Sequence, residues 1–211
     1  MNATDYWAKE ANLWDRLYKE EKSPTSFFLQ KRRKAIVKLL PPLEKKHIID
    51  LGCGNGEFGI FCAERGALVT FVDSSKAMTE LTKTALRRKN LRGRVITKKI
   101  EDIPVREKFD LVFAIGLMDY VSNKEKAIEK CRQITKNQLI ITFPKKYSPF
   151  ALLRAKWMTP IRRKILKIPQ IQNTFSKKEI KLLAEKHEFE IKRITTIWAT
   201  MYICNMEVKN K

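Results

Sequence analysis

Apolar positions along the chain follow two alternating patterns. Short runs at HIIDL (47–51), LVTFVD (68–73), VITKKI (95–100), FDLVFAI (109–115) and QLIITF (138–143) read as strands. Between them, residues 57–66, 75–90 and 123–135 space their apolar side chains as helices do. Strands alternating with helices predict parallel strands joined by crossovers, and so a layered α/β sheet. Ahead of this block, Trp7, Ala11, Trp14 and Leu17/Tyr18 recur at helical spacing. A second helix is expected from Phe27 to Leu40, closed by Pro41-Pro42.

The last third breaks the rhythm. Ser148-Pro149 and Thr159-Pro160 each place an N-cap residue before a proline, predicting short helices at 149–158 and 160–167. Ser176 and Glu179 form a capping box, and Phe175 with Ile180 can staple the helix that runs to Lys186. EIKRITTI (190–197) and TMYICNMEV (200–208) then read as an antiparallel pair at one sheet edge. Repeats and low-complexity linkers are absent, so one domain over 1–211 is expected.

Composition narrows the class. With 44% hydrophobic and 32% charged residues in 211, a disordered or collagen-like chain is excluded. No apolar stretch approaches the roughly 18–20 residues of a membrane span. Asp5, Glu10 and Asp15 among aromatics do not fit a signal peptide, so a cytoplasmic protein is expected. Cys53, Cys62, Cys131 and Cys204 lack metal or redox spacing, and His47 and His187 are too few for a histidine-rich metal site. The net charge of +21 points to an anionic partner, or else to a generally lysine-rich composition. Much of the excess is local: Lys130 to Lys178 holds thirteen Lys or Arg and no acidic residue.

Four of the seven glycines stand at Gly52, Gly54, Gly56 and Gly59, between a strand and a helix. That arrangement brings bare backbone against a ligand at a helix N-terminus. Asp73, at the end of the next strand, is placed to accept ribose hydroxyls, or else to cap the helix near Ser75. Asp50, two residues before Gly52, would repel a pyrophosphate and favour a cationic sulfonium ligand carrying an ammonium group.

DLGCGNG (50–56) resembles the first motif of class I S-adenosylmethionine-dependent methyltransferases. VDSS (72–75) is similar to the second motif, EDIP (101–104) to the adenine loop, and FDLVFAIGLMDYV (109–121) to the fourth strand with its following loop. The resemblance implies a Rossmann-like, mostly parallel seven-stranded sheet with helices on both faces and an antiparallel C-terminal strand pair. It implies S-adenosyl-L-methionine as cofactor, with Gly52, Gly54 and Gly56 lining the methionine part and Asp50 near its amino group. Asp73 would hold the ribose, Asp102 and Ile103 would meet adenine, and Gly116 and Leu117 would border the sulfonium. Within the domain, 1–44 would be a helical cover, 45–143 the cofactor core, 144–175 a basic helical lid, and 176–211 the closing helix and strands.

The acceptor is bounded by absences. LMDY (117–120) stands where NPPY or DPPY would mark amino-methylating enzymes, and no Pro-Cys pair offers a nucleophile to pyrimidines. Asp119 and Tyr120 follow the fourth strand, at the edge where open α/β sheets bind ligands. They are candidates to touch the acceptor, or else Tyr120 packs inward and Asp119 caps a turn. His47 starts a strand at the opposite edge, and His187 ends a helix. Tyr6 and Trp7 could cover the cofactor or simply pack. In 143–169, Phe150, Leu153, Trp157, Ile161, Ile165 and Ile168 fall largely on one helical face, with Arg162, Arg163 and Lys167 mainly opposite. Such a segment suits an amphiphilic acceptor or peripheral contact with an anionic membrane, or else a lid packed on the domain with a solvated basic back. The expected reaction is methyl transfer to a small or lipid-like acceptor, at oxygen. The rivals are an RNA methyltransferase using the basic patch and a non-catalytic cofactor-binding partner subunit.

Overall fold

The computed structural model describes residues 24–146 and 173–209. The expected helix at 6–18, the positions of Tyr6 and Trp7, and the helices at 149–158 and 160–167 lie outside the described residues, as does most of the basic 144–175 segment.

Strand β4 (Phe109–Ala114) lies in the interior of the sheet and explains its own sequence. Val112 and Ala114 join the apolar cluster on one face, and Leu111 and Phe113 the cluster on the other. A strand covered on both sides has no polar face to alternate with, hence the continuous apolar run. β1 (His47–Leu51) pairs parallel with β4 and with β2 (Leu68–Asp73), which in turn pairs with β3 (Arg94–Thr97). On the other side of β4 comes β5 (Thr135–Pro144), also parallel. β7 (Met201–Val208) runs antiparallel to β5, and β6 (Phe189–Ile197) antiparallel to β7 at the edge. The described residues thus form one seven-stranded sheet in the order β3-β2-β1-β4-β5-β7-β6, with the mostly parallel strands and antiparallel C-terminal pair that the resemblance implies.

Helices cover both faces. α1 (Pro24–Val37), α2 (Glu57–Ala63) and α3 (Lys76–Arg88) pack on one side. α4 (Lys124–Ile134) and α5 (Lys177–Lys186) pack on the other. α5 carries the expected capping box between Ser176 and Glu179, with Phe175 and Ile180 fully buried beside it. α1 is displaced a few residues toward the N-terminus of its expected range, and β3 ends at Thr97 rather than running to Ile100, where a 3-10 turn (Ile100–Asp102) begins. β5 starts earlier than its apolar run because Thr135 pairs with Phe109 directly from the end of α4.

Candidate functional site

The carboxyl ends of β1, β2, β4 and β5 meet at one edge of the sheet. The backbone leaves β1 through Gly52, Gly54 and Gly56, with φ of 66°, 56° and 84°, a region that L side chains rarely enter. The Cys53 N–H donates to the Val72 carbonyl (3.0 Å), tying this loop to the end of β2. Thr82, on α3, donates its hydroxyl to the Gly54 carbonyl (2.9 Å).

The three glycines have different surroundings. A Cβ on Gly52 would lie 3.2 Å from Leu117 Cδ1, so the loop after β4 closes against it. On Gly56 it would meet Ile60 and Thr82 at 3.0 Å, so this glycine serves the turn into α2 and faces the interior. On Gly54 it would meet nothing within 4 Å, and that is the open side of the loop.

Two carboxylates sit beneath the opening. Asp50 is 3% exposed, and its Oδ2 accepts the Gly59 N–H at 3.1 Å. Burial pushes its carboxyl up to about 7; the Gly59 bond opposes this, and the Asp73 charge adds to it. Asp73 accepts the Gly54 N–H on Oδ2 (2.9 Å) and the Ser75 N–H on Oδ1 (2.8 Å). Burial raises its carboxyl too, against the bonds from Ser75, Gly54 and Ser74. Asp73 does not cap α3; Ser75 does, accepting from the Met78 N–H. With about four lone-pair positions and backbone donors from Gly54, Ser75 and Ser74, Asp73 keeps acceptor capacity for a further donor, such as a ribose would supply.

This donor set fits S-adenosylmethionine. A buried and a half-buried carboxylate, both with their carboxyls raised by desolvation, favour a cation and oppose a pyrophosphate. Asp50 and Asp73 are therefore the residues that would hold the ammonium and ribose ends, beside the bare face of Gly54.

The remaining candidates are placed as follows. Lys98 N–H donates to the Asp73 carbonyl (3.0 Å), which draws the 3-10 turn bearing Asp102 to this edge. Asp102 is exposed, but the Ile103 side chain is buried in the core; its N–H donates to the Ile100 carbonyl and its carbonyl accepts from Lys130 Nζ at 2.8 Å. Gly116 (φ 75°) and Leu117 cross from β4 toward the glycine loop. Asp119 and Tyr120 follow, both half-buried, with the Tyr120 N–H donating to the Leu117 carbonyl. His47 stands at the opposite edge, and His187 is the C-cap of α5, 3.2 Å from Glu125. The Cys53 thiol is buried and pushed well up, which keeps it an unreactive packing group.

Two contributors were not foreseen. Thr142, near the end of β5, accepts the Gly116 N–H on Oγ1 at 2.7 Å; its only sequence signal is a hydroxyl inside an apolar run. Asn173 Nδ2 donates to the carbonyls of Met118 (3.1 Å) and Val121 (2.8 Å), and no sequence signal marks it. Beside it, Phe175 N–H donates to Pro144 O and Lys146 N–H to Phe175 O. The chain thus leaves β5 and returns toward α5 side by side, next to the 116–121 loop.

Residues 48–138 match a family model described as a methyltransferase domain. This segment, a little under half of the chain, is a methyltransferase domain of the class I S-adenosylmethionine-dependent type. S-adenosyl-L-methionine is the cofactor of this superfamily. The domain is 29% identical over 98 residues to a ubiquinone biosynthesis O-methyltransferase of Coxiella burnetii, covering 44% of this chain and 41% of that one. The match therefore spans less than half of that relative's length. In fold, the methyltransferase domain is similar to magnesium protoporphyrin IX methyltransferase from Synechocystis PCC 6803, solved with bound SAH. The TM-score is 0.79 at 19% identity, over 98% of each chain. The [4+2]-cyclase SpnF shares the fold at TM-score 0.76 and 12% identity, over 97% of this chain and 94% of that one. Fold alone therefore does not determine the reaction.

Proposed function

We propose that the protein transfers a methyl group from S-adenosylmethionine to a small or lipid-like acceptor, at oxygen. The observation that carries this reading is the pair Asp50 and Asp73 under the open face of Gly54, with Leu117 closing against Gly52. The bound cofactor supplies an electrophilic methyl on a sulfonium. The chain's part is to position: Asp73 receives the ribose, Asp50 balances the positive charge, and Gly116 and Leu117 border the reacting side. Displacement at a sulfonium releases a neutral leaving group, so alignment supplies much of the rate and a strong base is not required for an acidic hydroxyl or carboxyl.

Oxygen is supported by the curated relatives named as O-methyltransferases. A lipid-like acceptor is supported by the apolar and basic character of 143–169, together with the pairing of Pro144 and Lys146 with Phe175 and the Asn173 bond to the Met118 carbonyl, next to Asp119 and Tyr120. The thirteen basic residues between Lys130 and Lys178 would also suit RNA phosphates. Transfer of radiolabelled methyl into a native cell extract, followed by organic extraction, separates the two. Label in the organic phase supports the amphiphilic acceptor. Label left in a ribonuclease-sensitive aqueous fraction overturns it.

A further inference from the structure

The outer face of α1 and the β6–β7 turn form a patch that neither the cofactor site nor the core uses. Phe27 is 48% exposed and Trp198 39%, with ring centroids 5.4 Å apart, and Phe28 lies 6.0 Å from the indole. Lys31 Nζ stands over both rings, 4.9 Å from the Phe27 centroid and 5.8 Å from Trp198. Exposed Lys34 and Lys38 continue the line at helical spacing. None of these three lysines forms an ion pair among the described residues.

The turn holds Trp198 outward by an unusual route. Thr200 N–H donates to the Ile197 carbonyl (3.0 Å), and both intervening residues, Trp198 and Ala199, have positive φ (48° and 53°). Such a turn favours Asn-Gly, so two residues with a Cβ are strained there. It also sits at the site's edge of the sheet: Met201 pairs with Pro144, and Lys145 N–H donates to the Thr200 carbonyl.

We propose that Phe27, Trp198 and the Lys31–Lys34–Lys38 line dock the protein on an anionic phospholipid surface. Exposed aromatic rings on a turn and on the adjoining helix, beside a line of exposed lysines, match a membrane interface, where rings sit at headgroup level and lysines meet acidic lipids. A soluble small molecule would need a concave site to be buried. The rings are tilted at 48° and 60° and capped by Lys31, so they offer no flat face for a nucleic-acid base. Docking there turns the edge carrying Gly54 and Gly116 toward the lipid. The proposal goes beyond methyl transfer and does not depend on it, because binding is read without cofactor or acceptor.

The test is flotation of the full chain with vesicles of phosphatidylcholine alone or with about one-third phosphatidylglycerol. The wild type is expected to float with the acidic vesicles only. Phe27→Ser with Trp198→Ser, and separately Lys31→Glu with Lys34→Glu, should each lower partitioning about tenfold. Affinity for S-adenosylhomocysteine and thermal midpoint should remain near wild type in the lysine variant, which alters only exposed side chains and keeps the test valid if the aromatic variant misfolds. Trp198→Phe should retain most binding. Failure of the wild type to float, floating of the lysine variant like wild type, or selective capture of a single-stranded RNA with no vesicle binding would overturn the proposal.

Discussion

Asp73 accepts the Gly54 N–H on one carboxylate oxygen and the Ser75 N–H on the other, and Gly54 itself is open on its Cβ side. Removing it would take away the charge-assisted bonding expected with the ribose as well as a tie on the glycine loop. Asp73→Ala should therefore weaken S-adenosylhomocysteine binding by at least about tenfold in calorimetry, and unchanged affinity would refute the ribose assignment. Asp50 makes a different prediction, about protons. Its folded carboxyl titrates near 7 instead of 3.8, so the unliganded folded state holds a proton that the unfolded chain has released. Stability of the free protein should then fall as pH rises between those two values. A cationic ligand prefers the ionised carboxylate, so S-adenosylmethionine affinity should rise as pH passes through about 7, with proton release. Titrations from about pH 6 to 8 should show that slope in the wild type and lose it in Asp50→Asn; equal slopes would remove Asp50 from the charge balance.

At the scale of elements, α2 can approach β2 only because Gly59 has no side chain. A Cβ there would lie 2.3 Å from the Phe71 ring. Gly93 presses the same ring from another side, with a would-be Cβ at 2.7 Å, so Phe71 cannot swing away. Two effects oppose each other in Gly59→Ala. Helix propensity favours alanine by about 1 kcal/mol, whereas overpacking a filled core costs about 1–3 kcal/mol. The clamped ring puts the clash at the upper end, so the net should be a loss of about 1–2 kcal/mol in denaturant unfolding. The motif's last glycine is thus a packing residue, although in sequence it reads as part of a ligand loop. Elements were most legible where pattern and pairing agree: β1 and β2 occupy their apolar runs, 47–51 and 68–73. They were least legible where partners decide, as at Thr135–Asn137, polar residues recruited into β5 because the strand begins where α4 stops.

Across the whole molecule, the site divides by how far apart its members lie in the chain. Asp50, the glycines and Asp73 occupy one strand–loop–helix–strand unit, so local spacing revealed them together. The bonds that hold the far side depend on strand order: Leu117 against Gly52, Thr142 under Gly116, and Asn173 on Met118 and Val121. No local pattern encodes a contact 55 residues long, such as Asn173 to the Met118 carbonyl. That contact belongs to the molecule as an assembly, because it joins the return of the chain after β5 to the loop that follows β4. Asn173→Ala leaves two carbonyls without their donor and touches neither Asp50 nor Asp73. Hydrogen exchange should therefore quicken over residues 117–121, with a stability cost of about 1–2 kcal/mol. Affinity for S-adenosylhomocysteine should change less than about threefold, because Asn173 bonds to the Met118 and Val121 carbonyls and to neither Asp50 nor Asp73. Unchanged exchange at 117–121 would mean that Met118, fully buried, holds the loop by packing alone. A large loss of cofactor affinity would instead mean that the two halves of the site share one rigid frame, set by the same pair of hydrogen bonds.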